Sequence, residues 1–124
     1  METENSNALV LNTVLAAKYD GDQVASLQRL VELAATSSCR GANAAAQLLL
    51  GLYDGSVYPF DLTELSLLDD ELFEDALNAL RLRTRHSVEP HLFFANGGAL
   101  FNSIADDWHL KPETSDQGGL LFNE

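Results

Sequence analysis

Between Leu67 and Arg83 the sequence LLDDELFEDALNALRLR carries five carboxylates in the seven residues from Asp69 to Asp75, and arginines follow at positions 81, 83 and 85. Carboxylates packed this densely can share a proton, cage a hard cation, meet a basic partner or solvate a helix end. Acid/base work needs a cleft and at least one desolvated member, so that the two pKa values separate. A Mg²⁺ or Ca²⁺ site needs oxygen ligands converging on one point. Glu71, Glu74 and Asp75 have a compatible i, i+3, i+4 spacing, but the glycine of a calcium loop is missing nearby. Placed at 100° per residue, Leu72, Phe73, Ala76, Leu77, Ala79 and Leu80 share one arc of roughly 160°. Asp70, Glu71, Glu74 and Asp75 fill the opposite side, and Asp69 is placed to cap the helix. Acids in the first turn and arginines in the last both complement the helix dipole, each by ~0.3–1 kcal/mol. The expectation is therefore an exposed acidic face, either solvating the helix or meeting a basic partner.

The other chemical residues are scattered. His86 and His91 stand five apart across an expected helix break, which is not the i, i+4 spacing of zinc-binding helices. With Asp61 they are the candidates for a small hydrolase or metal-dependent enzyme. His109 falls at the end of the last expected helix, where an imidazolium suits the dipole. Cys39, in SSCRG, has Arg40 beside it, which would favour the thiolate, but no matching histidine; it reads as a buried or incidental thiol. Asn96-Gly97-Gly98 could form an anion-binding nest. In so acidic a chain, with no lysine nearby, a cap and turn is the simpler reading. Walker A, dinucleotide-binding, HExxH, GxSxG and paired CxxC patterns are absent. No cofactor, metal or catalytic residue is expected.

Charge is the unusual property of the composition. Nineteen acids against seven bases give a formal net charge of −12 over 124 residues. That field repels phosphate backbones and anionic lipid, which argues against direct nucleic-acid or membrane binding, and it attracts basic partners. A single cysteine excludes an internal disulfide and suits a reducing compartment. No apolar run approaches the ~20 residues that span a bilayer. The opening METENSNALVL lacks the basic residues of a secretory signal. The cytoplasm is the expected location.

The elements that must position these residues all repeat near 3.6. Ser6 or Asn7 is placed to cap a first helix over residues 8–19. Asp22 is placed to cap a second, with Val24, Leu27, Leu30, Val31 and Ala34 on one face. Thr36 to Ser38 breaks it and offers the next cap. The third helix, residues 41–53, is apolar almost all round and so central, with Gly55 placed to end it. In the connection SVYPFDLTEL, Asp61 and Glu64 form a capping-box-like pair. Val57, Tyr58, Phe60 and Leu62 are expected to pack over the core. Ser87 or Glu89 with Pro90 starts a short helix, Asn96–Gly98 punctuates it, and Leu100, Phe101, Ile104, Ala105 and Trp108 mark one face of the last. The aromatic residues, Phe73 included, read as core. No alternating strand pattern occurs. The expected fold is all-α, a compact single-domain bundle of five to six helices over residues 1–110. Residues 111–124 form a polar tail, with Leu120-Leu121-Phe122 as a docking patch.

The segments YPFDLTELSLLDDELFEDALNALRLR and EPHLFFANGGALFNSIADDWHL resemble an uncharacterised family of small proteobacterial proteins carried on integrative elements, plasmids and phages. The resemblance runs from Val24 to Leu110. It rests on Tyr58 to Leu62, Leu68-Asp69, His91, Asn96 to Gly98 and Trp108. It implies an accessory protein of a mobile element and carries no catalytic residues. The expected function is a non-enzymatic, acidic protein-interaction module. Its most specific form is an inhibitor that occupies a basic nucleic-acid-binding surface of a partner, as DNA-mimicking counter-defence (anti-CRISPR-type) proteins do. Asp70, Glu71, Glu74 and Asp75 would carry the contact, helped by Asp106 and Asp107. A dimerisation or assembly adaptor is the alternative within the same class, and a homo-oligomer is compatible with either.

Overall fold

The computed structural model describes residues 9–111, and all that follows concerns them. Five α-helices and two 3-10 helices order the chain: α1 (Thr13–Ala16), α2 (Gly21–Thr36), α3 (Arg40–Tyr53), a 3-10 helix (Leu62–Leu67), α4 (Asp70–Arg85), a second 3-10 helix (Pro90–Phe93) and α5 (Gly97–Asp107). The all-α, single-bundle expectation holds.

The expected face of α2 is buried in full: Val24, Leu27, Leu30, Val31 and Ala34 are at most 4 % exposed. Its cap lies two residues earlier than expected. Asp20, not Asp22, accepts from the N–H groups of Asp22 and Gln23. α3 is central, burying Ala42, Ala44, Ala45, Ala46, Leu48, Leu49 and Leu50. Small alanines on several sides let α3 sit close to its neighbours. The chain from Tyr58 to Phe60 crosses α3 at Gly51, where a Cβ would stand 3.2 Å from Phe60 Cβ and 3.3 Å from the Tyr58 carbonyl oxygen. Tyr58 and Phe60 pack on the core as expected, whereas Val57 and Leu62 do not; Leu62 is 71 % exposed. Asp61 caps the following 3-10 helix through the Thr63 N–H, but Glu64 closes no capping box; its carboxylate instead accepts from Gln47 Nε2 at 3.3 Å.

The first helix is much shorter than residues 8–19. Asn12 caps it, and Ser6 and Asn7 lie outside the described residues. Leu11 is extended and bridges Phe94 in antiparallel fashion, with Asn12 N–H donating to the Phe93 carbonyl and Ala95 N–H to that of Val10. The apolar residues here serve a pairing that links the start of the chain to the segment before α5. Glu89 precedes the second 3-10 helix without a side-chain cap, and Ser87 takes a left-handed φ of 58° at the end of α4. Gly97 begins α5 where a Cβ would fall 1.7 Å from the His91 carbonyl oxygen. Asn96-Gly97-Gly98 is thus a tight crossing and helix start.

α5 ends in a Schellman motif: Leu110 N–H donates to the Ala105 carbonyl, His109 N–H to that of Asp106, and His109 holds φ 56°. Trp108, expected in the core, is half-buried there, and its indole N–H donates to the Ala34 carbonyl at 2.8 Å. That bond ties the end of α5 to the last turn of α2.

Candidate functional site

α4 begins as its sequence requires, with Asp69 accepting from the Leu72 N–H at 2.8 Å. Its buried face is turned from the expected arc. Phe73 is 37 % exposed, while Leu82 and Asp75 are buried at 2 % and 5 %. These two are one heptad apart, only about 20° on the helical wheel. Asp75 therefore does not belong to the exposed acidic face; this corrects its assignment as a partner-contacting residue.

Asp75 meets α2 instead. Its two carboxylate oxygens take a fork from Arg29: Nε donates to Oδ2 at 2.9 Å and Nη2 to Oδ1 at 2.7 Å. Ser26, with no exposed surface, donates Oγ–H to Oδ1 at 2.8 Å. Ser26 Oγ in turn accepts from Asn78 Nδ2 at 3.0 Å, and Asn78 Oδ1 from Arg81 Nη1 at 2.7 Å. Ser26 faces Asn78 while Arg29 faces Asp75, so the two helices run antiparallel. Burial alone would push the Asp75 carboxyl up. The hydrogen bonds from Arg29 and Ser26, with the guanidinium charge, outweigh burial and hold it below the usual carboxylate range. Arg29 is raised in turn, first by its bond to Asp75, against partial desolvation, and further by the charges of Asp75, Asp22 and Glu71. A bidentate pair with one buried partner fixes the register of α2 against α4.

Above this network lies a groove of about 640 Å³ lined by Asp22, Ala25, Ser26 and Arg29 of α2 and by Glu71, Leu72, Glu74, Asp75 and Asn78 of α4. Of the expected contact residues, Glu71 and Glu74 stand exposed on one wall, and Asp22, expected only as a helix cap, is exposed on the other. Asp70 is exposed beside them at the start of α4. Asp106 and Asp107 are exposed in the last turn of α5 and take no part in the groove. Arg29, Ser26 and Asn78 were also missed. The available signal was Leu82, which places its heptad partner Asp75 on the buried side and so demands a counter-charge.

The candidates for enzymatic chemistry occupy three separate settings. Asp61 is spent as a cap, bonded to the Thr63 hydroxyl and N–H, which pull its carboxyl down. His86 lies edge-on to Tyr19 at 5.3 Å. His91 lies edge-on to Tyr53 at 4.9 Å, with Nδ1 3.6 Å from Glu89 Oε1. No hydrogen bond, ion pair or ring contact joins any two of these three residues. Among the described residues no group of three or more His, Cys, Asp or Glu is placed to hold a metal ion. Cys39 is exposed and caps α3, its sulfur accepting from the Ala42 N–H at 3.4 Å. The Ser37 hydroxyl first, and then the Ala42 N–H, pull the thiol down; the neighbouring Arg40 is not the cause. Among the described residues no helix is long and apolar enough to cross a membrane.

A family model described as a family of unknown function, DUF7673, matches residues 24–109. The chain belongs to this family. The DUF7673 match ends within one residue of the stretch on which the resemblance noted above rests. It includes Ser26, Arg29, Glu71, Glu74, Asp75 and Asn78, and leaves Asp22 just outside. No curated protein and no solved structure matches the chain.

Proposed function

We propose that this DUF7673 protein is a non-enzymatic interaction module whose acidic α2–α4 surface receives a basic surface of a partner protein. The observation that carries this reading is the pair of carboxylate walls, Asp22 on α2 and Glu71 with Glu74 on α4, held at fixed separation by the Arg29–Asp75 fork beneath them. Charges on rigid helices lose little conformational entropy on binding, and a chain of net charge −12 steers cationic partners towards itself. In its most specific form the module is an inhibitor carried by a bacterial mobile element. Its carboxylates then stand where phosphates would stand against the Lys and Arg residues of a nucleic-acid-binding protein. Asp70 extends the contact at the start of α4, and Asp106 and Asp107 form a separate acidic spot on α5.

The test is capture of partners from a lysate of the source organism at low and at high salt, followed by competition with DNA. A partner retained at low salt, released at high salt and displaced by DNA supports the inhibitor. A partner that DNA leaves in place removes the inhibitor form and keeps only the interaction module. Binding that is indifferent to salt removes the acidic surface as the contact.

A further inference from the structure

A second groove, away from the carboxylates, is apolar almost throughout. It measures about 150 Å³ between α3 (Leu48, Gly51, Leu52), the crossing segment (Tyr58, Phe60, with Leu62 at its mouth) and Leu80 of α4. Nothing polar in it fixes a small hydrophilic ligand. An apolar space of about 150 Å³, lined by leucine and aromatic side chains, is large enough for a group the size of a benzene ring. We propose that this groove is the docking site for Leu120, Leu121 and Phe122 of the same chain, with the Phe122 ring in the space beside Gly51 and Leu62.

Three observations converge on that occupant. The described chain leaves the bundle beside the groove: Leu110 shares a small cavity with Gln47, Leu50, Val57, Tyr58 and Pro59, and Tyr58 is also a wall of the groove. Nine residues lie between Leu110 and Leu120, and the ten steps give a maximum reach of roughly 33–36 Å, which spans a neighbouring site easily. Residues 112–124 contain one apolar cluster, Leu120-Leu121-Phe122, within an otherwise polar and acidic stretch that includes Glu113, Asp116 and Glu124. One cationic side chain, Arg83, is bonded to a residue of the groove. Arg83 donates Nε–H to the carbonyl of Leu52, a groove residue, at 2.9 Å, and its two terminal nitrogens bond to no group among the described residues. Tethering makes the contact intramolecular, so that even a weak apolar seat is filled ahead of a free competitor.

The experiment uses the full chain with Cys39→Ser, which keeps a good helix cap, and Asn123→Cys carrying a nitroxide. Methyl NMR signals of Leu62, Leu65 and Leu80 should lose most of their intensity while those of Val10 and Val14 keep theirs. Adding Leu120→Asp and Phe122→Asp should restore the lost intensity. Uniform weak broadening overturns the proposal. So does broadening that survives the two substitutions, or that transfers to a spin-free, isotope-labelled copy mixed with a labelled-tail copy, which would make the occupant a second molecule.

Discussion

Asp75 is the residue on which the two long helices depend. It is 5 % exposed, yet its guanidinium partner Arg29 is 58 % exposed along the side chain, so the pair is neither a surface bridge nor a sealed one. Exposed pairs contribute ~0–1 kcal/mol, and breaking a fully buried pair costs ~3–5 kcal/mol. Asp75→Ala should fall between, at about 1–3 kcal/mol, because it also removes the acceptor of the buried Ser26 hydroxyl proton. Glu74→Ala, one residue earlier and exposed, should stay within ~0.5 kcal/mol of the parent. Urea unfolding at neutral pH measures both. The pH dependence has a definite sign. Folded Asp75 titrates below its unfolded value of ~3.9, so its contribution is complete above that value and is lost as pH falls through the depressed folded value. Asp75→Asn should lower stability at neutral pH and flatten this part of the acid limb. An acid limb identical to the parent's would show that the pair contributes nothing through its charge.

Helix ends separate what a single sequence shows from what it hides. Gly97 and Gly98 look alike in sequence, but a Cβ at Gly97 would fall 1.7 Å from the His91 carbonyl oxygen, and one at Gly98 meets nothing within 4 Å. Gly97→Ala should cost ~3 kcal/mol or more, since backbone must move, while Gly98→Ala inside α5 should gain ~0.4–1 kcal/mol. At the other end of α5, His109 holds the left-handed position of a Schellman motif that glycine usually fills. His109→Gly should raise stability by up to ~1 kcal/mol, read as a higher urea midpoint with an unchanged slope. Core faces, by contrast, were legible. The 3.6 repeat in α2 named its five buried apolar residues, and the all-round apolarity of residues 41–53 marked the central helix. What misled was local composition without its partner. Val10 and Leu11 look helical by hydrophobicity, but their role is set by a pairing with residues 93–95 more than eighty positions away. Likewise, Asp20 and Asp22 are equally good caps on chemistry alone, and only the course of the chain from α1 selects Asp20.

At the scale of the molecule, half of the acidic site could be read from α4 alone and half could not. A wheel drawn for one helix separates polar from apolar residues but knows nothing of the helix beside it. It therefore placed Asp75 with Glu71 and Glu74, and gave no sign that Asp22 and Arg29 of α2 stand opposite them. With Asp75 reassigned to the fold, charge reversal can be aimed at the contact surface alone. Asp70→Lys, Glu71→Lys and Glu74→Lys together raise the net charge from −12 by two per substitution and leave the Arg29 fork in place. Cations in the first turn oppose the helix dipole by ~0.3–1 kcal/mol each. A domain of ordinary stability, ~5–15 kcal/mol, remains folded after that loss. The triple variant should keep its helical circular dichroism and lose binding to a basic partner. Parent binding should weaken as salt rises, because exposed charges are screened within ~8 Å at physiological ionic strength. Asp106→Lys with Asp107→Lys, on α5 and outside the groove, supplies the comparison. If the α4 triple binds normally while the α5 pair does not, the contact belongs to the end of α5, and the groove between α2 and α4 is only the solvated seam of two helices.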